Sequence, residues 1–579
     1  MHILSKSAVM AAVSLAAFFR VAAGSAGEVA VEGLALDFGS VSFRIPRLAA
    51  DGTTLTAAQI KESLRVGSAA ALEERLAGLS ASRLLIPEIY ILAASKERRV
   101  ELVYRDVALE NIAAGRAASM RAASLEETVG GEGGGRIVAR FSGIRAKGVD
   151  LRQIAHVAAS PRADRAEAAR DLEEEASIDS VSVALPDAGV ELRAGKVSAS
   201  GLRARALAEP LLRFAGAPAQ ASAPQAESAA RGILDILGSF EAATIEARDL
   251  SLSGASGAEK KPYGVKIGSA TLKKLAGGVS EEGRIEGFAL EAADGGRVAF
   301  GRLAFRRLDF ARLAAPGEQR PWMLSGAQLA DLSADLPDSD SNGRLAFKVA
   351  AAEADLADFR EGLPTRGSLR LDRFDLDLAA LGDSTATAQF AALGYRNVEL
   401  SANLKAEWLD RSKEAIVEQA RIAAKDIGTL ELTGRLGDVS GLVFSANPAV
   451  SRTAMLAMTA RRLEITLEGG GLIDRLLAQE ARASGADTAS LRASYAGDVK
   501  RSSRRGWRTA IRRGASQRRR ASSSRPRSGC ASFCSLRRAS GFWRLWPGNP
   551  GMSSIRWRRR RTRNSRGSQL ARLFASSPV

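Results

Sequence analysis

The sequence predicts a mainly β fold with minor α, in which extended, bulged antiparallel sheet either lies open as a groove or closes on itself. Three observations carry this expectation. Short apolar–polar alternations dominate residues 29–495, the alternation slips by one residue at recurring points, and only a few segments show a helical period. Side chains two apart share one face of a strand, so Leu34, Leu36 and Phe38 form a row, as do Val41, Phe43 and Ile45. Val29 and Val31 stand one residue out of step with the first row. The same apolar-x-apolar-x-x-apolar-x-apolar pattern returns at Ile144/Ala146 then Val149/Leu151, Val197/Ala199 then Leu202/Ala204, and Ile245/Ala247 then Leu250/Leu252. It returns again at Ala327/Leu329 then Leu332/Ala334 and at Leu393/Tyr395 then Val398/Leu400, with weaker copies around Ile285/Phe288 and Ala424/Ile427.

The residue before the second half of each copy is Gly33, Gly148, Gly201, Asp249, Gly287, Asp331, Asn397 or Asp426. These residue types enter the left-handed region at low cost. An extra residue in a strand turns its apolar set to the wrong face, and a β-bulge at Gly, Asp or Asn restores both halves to one side. Two further copies, Leu303/Phe305 then Leu308/Phe310 and Leu369/Leu371 then Phe374/Leu376, carry Arg307 and Arg373 at this position.

In chain order, residues 1–26 read as a secretory signal: Lys6, an apolar run Ala8–Phe19, and small residues Gly24-Ser25-Ala26 at a cleavage site. A spanning helix needs about 20 apolar residues, and Arg20 interrupts this run. The mature chain is therefore expected to have no integral span and to be exported, periplasmic or envelope-associated. Residues 27–214 form a β-rich region with helical insertions. Thr56–Leu79 has an amphipathic helical period through Ile60, Leu64, Leu72 and Leu76, and Arg152–Ala176 is Arg/Glu-rich helical sequence broken by Pro161. Gly130–Gly135 is a loop or hairpin. Residues 215–240 form an Ala/Pro/Ser/Gln linker running into a short helix at Ala229–Phe240, where a domain boundary is placed. A second β-rich region covers 241–499, with a helix at Leu472–Ala483 after Gly469-Gly470-Gly471.

The net charge of +18 is a property of the end of the chain. Residues 500–579 hold 23 basic residues, 22 of them Arg, and no carboxylate, leaving 60 basic against 65 acidic residues in 1–499. Both cysteines, Cys530 and Cys534, and four of the six tryptophans lie in the same stretch. An Arg/Ser-rich segment without alternation is what a GC-rich gene yields out of frame, so residues 500–579 are expected to be frameshifted or disordered. The alternatives are a basic arm stacking aromatic groups on nucleic acid, which export argues against, and a tail held to anionic lipid.

Catalytic chemistry is hard to assemble from this composition. The body has one histidine, His156, read as a surface residue near Arg152 and Arg162, and no thiol, so no triad and no zinc site is expected. The glycine clusters lack the residues of phosphate-binding and dinucleotide-binding loops. No cofactor is expected. Asp338, Asp340 and Asn342, followed by Gly343, reproduce the opening of a calcium loop, but position 349 is Val where a bidentate Glu is required. A polar turn after Pro337 explains the same residues.

The signal segment followed by bulged strands such as Val197-Ser198-Ala199-Ser200-Gly201-Leu202 and Ile245-Glu246-Ala247-Arg248-Asp249-Leu250 resembles the AsmA-like group of bacterial envelope proteins. The likeness is diffuse over about residues 29–495 and rests on texture, without an identifying motif. It implies a long β-groove whose apolar inside shields lipid chains between two membranes. The sequence departs from that pattern in its N-terminal anchor and in its arginine-rich end. Two readings follow: a non-enzymatic β-scaffold that binds or passes lipid along an apolar groove, and a structural or partner-binding exported protein with closed β cores. An enzyme using unidentified carboxylates is a third class. Groove or core positions are Leu34, Leu36, Phe38, Val41, Phe43, Ile45, Phe300, Phe305, Phe310, Phe374 and Leu376, with a closed core favoured because alternating phenylalanines normally pack against another layer.

Overall fold

The computed structural model describes residues 27–497, apart from 38–40, 64–68, 95–98, 132–133, 163, 165–166, 209–234, 258, 311–323, 338–342, 362, 382–384, 446 and 470. Residues 1–26, read above as a signal, Phe38, the candidate calcium ligands Asp338, Asp340 and Asn342, and the arginine-rich end lie outside the described residues.

The protein is mainly β, and its alternating segments join into one 21-stranded antiparallel sheet with few short helices. β1 (Gly27–Asp37), β2 (Val41–Thr53), β3 (Ala81–Ala94), β4 (Arg99–Ala113), β5 (Arg116–Gly131) and β6 (Gly134–Asp150) pair in chain order. β7 (Arg170–Ile178) and β8 (Ser180–Leu185) then share the far side of β6. β8 pairs with β9 (Val190–Ala194) and β7 with β10 (Val197–Ala204). β11 (Phe240–Ser256) pairs with both β9 and β10, so the sheet is continuous across the linker-like stretch. After it come β12 (Lys261–Ala276), β13 (Val279–Glu291), β14 (Arg297–Asp309), β15 (Gly326–Pro337), β16 (Arg344–Arg360), β17 (Leu363–Asp377), β18 (Asn397–Leu409), β19 (Glu414–Ala424), β20 (Gly428–Gly437) and β21 (Thr459–Glu468). Each pairs with the one before it.

Helices interrupt the sheet at α1 (Ala57–Ser63), α2 (Ala69–Ala77), α3 (Leu151–Ala159), α4 (Thr385–Ala392), α5 (Pro448–Leu456) and α6 (Gly471–Ser484). The helix expected over 56–79 is present as α1 and α2. The helical sequence expected over 152–176, broken at Pro161, is helical only in its first part: α3 ends at Ala159, and Arg170–Ala176 lies in β7, where it pairs with β10. Pro161 bars continuation of the helix, and ladder pairing outweighs the helical propensity of the Glu-rich run beyond it. Of the helix expected over 229–240, residues 235–239 are helical, Phe240 opens β11, and 229–234 lie outside the described residues.

The phase slips are left-handed residues. Gly33, Gly148, Gly201, Asp249, Gly287, Asp331, Arg307 and Arg373 all have φ between +44° and +64°. Two copies of the pattern have other causes. Asp426 is left-handed in the turn between β19 and β20, and Asn397 opens β18 without a positive φ. From β11 to β17 the slips are also not one-sided bulges. Register is the same on both sides of each slip, because the opposing strand gives up a residue too. Asp249, Gly268, Gly287, Gly301, Asp331, Ala350 and Arg373 thereby fall opposite one another, with left-handed backbone on every second strand. A second row runs through Gly148, Glu174, Gly201, Ala243, Lys274, Glu281 and Arg307. In the first row small residues face the left-handed ones, and a Cβ on Gly301 would stand 3.0 Å from Asp331 Oδ2, whereas Glu174 and Glu281 take that place in the second. Two creases therefore cross the sheet, and every strand that meets one keeps its apolar set on one side.

The two ends of the sheet bury that side differently. In β1–β10 it is a closed core: Val41, Leu48, Tyr104, Leu109, Leu125 and Val149 are each fully buried, in one cluster with Ile60, Leu76, Ile154 and Val157 of α1, α2 and α3. α3 is held in place by Asp150, whose carboxylate accepts from the Arg152 and Gln153 backbone N–H groups and from the guanidinium groups of Arg116 and Arg152. Burial alone would push this carboxyl up, but those hydrogen bonds outweigh it and hold it below its ordinary value.

Candidate functional site: the open apolar face of β11 to β21

Among the described residues, the apolar side of the sheet from β11 onward has register but no lid. Residues opposite one another in antiparallel strands share a face, so ladder pairings trace the surface directly. One row is Ala247, Ala270, Ile285, Leu303, Leu329, Ala352, Leu371, Ala402, Ile422, Leu430 and Leu467, each the partner of the one before it. A parallel row begins at Ile245 and Leu272, passes Phe305, Leu369, Leu404 and Leu432, and ends at Ile465; its remaining members are Gly283, Ala327, Ala354 and Ala420. Neither row contains a polar side chain. With strands about 4.8 Å apart, the face spans about 48 Å from β11 to β21.

Exposure separates this face from the closed core. Most of its side chains are half-buried, and toward the sheet edge Ile422 is 50%, Ile465 59% and Leu467 62% exposed. Phe300, Phe305, Phe310, Phe374 and Leu376 are half-buried, whereas Leu34, Leu36, Val41, Phe43 and Ile45 are buried in the closed core. The phenylalanines find lateral partners in place of a facing layer: Phe288 stacks on Phe300 at 4.6 Å, Phe347 on Phe374 at 5.6 Å, and the Phe305 ring lies over Gly283. The strands' other face carries ion pairs such as Arg306–Asp355, Lys274–Glu281 and Lys405–Glu418. Each is exposed and contributes little to stability, but together they mark the solvated side.

The strand ends are closed by polar and aromatic contacts. At one end Trp408 donates from Nε1 to the Val439 carbonyl, packs on Phe444, and carries Arg360 and Lys413 over its ring. At the other, α6 docks through Arg475, which donates to the Leu393 carbonyl and lies 4.1 Å from the Tyr395 ring centroid.

His156 is not the surface residue expected from sequence. It is half-buried on α3, its Nδ1 is 2.8 Å from Glu73 of α2, and its Nε2 is 3.0 Å from Glu167. The Glu73 hydrogen bond raises the imidazole pKa against the effect of burial. Burial would raise Glu73, but its bonds and charge interaction with His156 bring it below its ordinary value. These partners are distant in sequence, so no local signal announces them. The cluster clamps two helices over the core, away from the open face. Among the described residues there is no group of three or more His, Cys, Asp or Glu placed to hold a metal ion, and no helix is long and apolar enough to cross a membrane.

A family model described only as an uncharacterized protein matches residues 421–505, from β19 past the last described helix. No curated protein and no solved structure matches the chain.

Proposed function

We propose that the protein is a non-enzymatic, exported envelope scaffold that binds or passes lipid chains along the apolar face of β11–β21, with β1–β10 as its closed platform. The observation that carries this reading is the pair of unbroken apolar ladders across eleven strands, left half-exposed on one side and backed by charge on the other. Isolated exposed apolar residues need no explanation, but a contiguous apolar surface of this length marks an interaction site. A lipid chain suits it in shape and energy. One leaflet of hydrocarbon is about 15 Å thick, so the face is several chains long. Complete shielding contributes about 0.8 kcal/mol per methylene, so ten methylenes laid against one surface contribute about 4 kcal/mol and a two-chain lipid about 8 kcal/mol, in the micromolar range. Burial alone supplies this affinity without any catalytic group. The resemblance to AsmA-like envelope proteins points the same way, and the apolar run of residues 8–19 supplies the export expected of it.

Native mass spectrometry of the purified full chain tests the reading. Adducts with phospholipid masses that disappear on delipidation are expected, and repeated recovery of lipid-free protein from lipid-containing cells would contradict it.

A further inference from the structure

The sheet ends in a strand that is complementary to itself. β21 is exposed along its whole length, and beyond it the chain turns at Gly469, with φ +83°, and runs back to the β19–β20 turn, where the Leu472 N–H donates to the Ile427 carbonyl. Among the described residues no strand pairs with its outer edge. Such an edge is a template for another strand, and proteins usually blunt it with proline, a bulge or inward charge. β21 has no proline, its bulge at Arg461 falls near its start, and beyond that bulge Leu463, Ile465 and Leu467, all exposed, lie on the apolar side of the sheet.

We propose that two copies of the chain pair antiparallel through β21, with Ile465 facing its own copy on the two-fold axis. The charges select this register. With Ile465 opposite Ile465, Leu463 meets Leu467, Arg462 meets Glu468 and Glu464 meets Thr466, every contact being made twice. Centring on Glu464 would stack two like charges, and centring on Leu463 would set the bulged, charged Arg461 against Ile465. Shifts by odd numbers of residues place apolar side chains opposite polar ones. Arg462 and Glu464 at present bridge within the strand at 3.1 Å, both largely exposed, a contact readily exchanged. A two-fold axis normal to the sheet keeps both apolar faces on the same side, so pairing doubles the length of the open face. The contact closes after two copies, unlike a β1-to-β21 contact, which would propagate.

Sedimentation velocity and light scattering on the full chain test this, with Cys530→Ser and Cys534→Ser as background. A concentration-dependent dimer is expected. Ile465→Cys in that background should form an intersubunit disulfide, whereas Leu463→Cys should link only when mixed with Leu467→Cys, since like positions would be about 13 Å apart. Arg462→Glu should weaken the dimer about tenfold, and adding Glu468→Arg should restore it. A monomer at all concentrations, open-ended oligomers, or a dimer insensitive to the charge pair and unlinked at position 465 would each overturn the proposal. Circular dichroism of every variant separates loss of pairing from loss of fold.

Discussion

Truncating one isoleucine in the closed half and one in the open half should give different penalties, although the two occupy equivalent strand positions. Ile89 of β3 is 1% exposed, and Ile422 of β19 is 50% exposed between Ala402 and Leu430. Ile→Ala removes three carbons, which at about 0.8 kcal/mol each is about 2.4 kcal/mol for a fully buried side chain. At Ile89 the surrounding core cannot fill the space, and the cavity brings the total to about 4 kcal/mol. At Ile422 about half the transfer energy is at stake and water occupies the gap, so the cost is about 1 kcal/mol. Hydrogen exchange with peptide-level mass spectrometry reads both locally. Opening should become about a thousandfold more frequent across β3–β5 for Ile89→Ala, and about fivefold more frequent across β18–β20 for Ile422→Ala. Equal penalties would mean that a layer covers β19 in solution, and the open-face account would be wrong.

Other outcomes follow from the titrating groups and the creases. The His156–Glu73 clamp should be tightest between the ordinary glutamate and histidine values, about pH 4.5–6.5. The raised imidazole loses its contribution as pH climbs through its folded value, and the lowered carboxylate loses its own as pH falls; exchange in α2 and α3 across pH 4–8 should show this minimum, and His156→Ala should abolish it. Glu173 is buried, and burial pushes its carboxyl up to about 7. The folded state therefore holds a proton that the unfolded chain releases near 4.5, so stability falls as pH rises from about 4.5 to 7. Glu173→Gln should remove that fall, with a gain of about 3 kcal/mol at pH 8 and little change at pH 4 in urea titrations. Asp331 has φ +56° in a crease; Asp331→Gly should be nearly neutral, whereas Asp331→Val should cost about 1–2 kcal/mol in the same assay.

The fold was largely legible because its signal is local. A period of two with a slip at Gly33, Gly201 or Asp249 states both the strand and the left-handed residue that corrects it, and Arg307 and Arg373 show that apolar phase outranks residue preference. The same local pattern misleads at Asp426, where a hairpin turn produces the spacing of a crease. Alignment of the slips into rows was hidden, because register depends on which strands pair. So was the division between closed and open halves: Phe43 and Phe305 sit in the same alternation, and only the packing of α1, α2 and α3 over the first strands tells them apart. His156 escaped for the same reason, since its partner Glu73 lies 83 residues away.

In the proposed function, lipid occupies the side of the sheet bearing Ile285, Leu371 and Ile422. Delipidated full-length protein exposed to a diazirine-bearing fatty acid, irradiated and digested should carry label on peptides from residues 240–468, reduced by Leu371→Asp or Ile422→Asp at unchanged circular dichroism. Label confined to residues 27–207, or absent while the protein remains folded, would contradict the account.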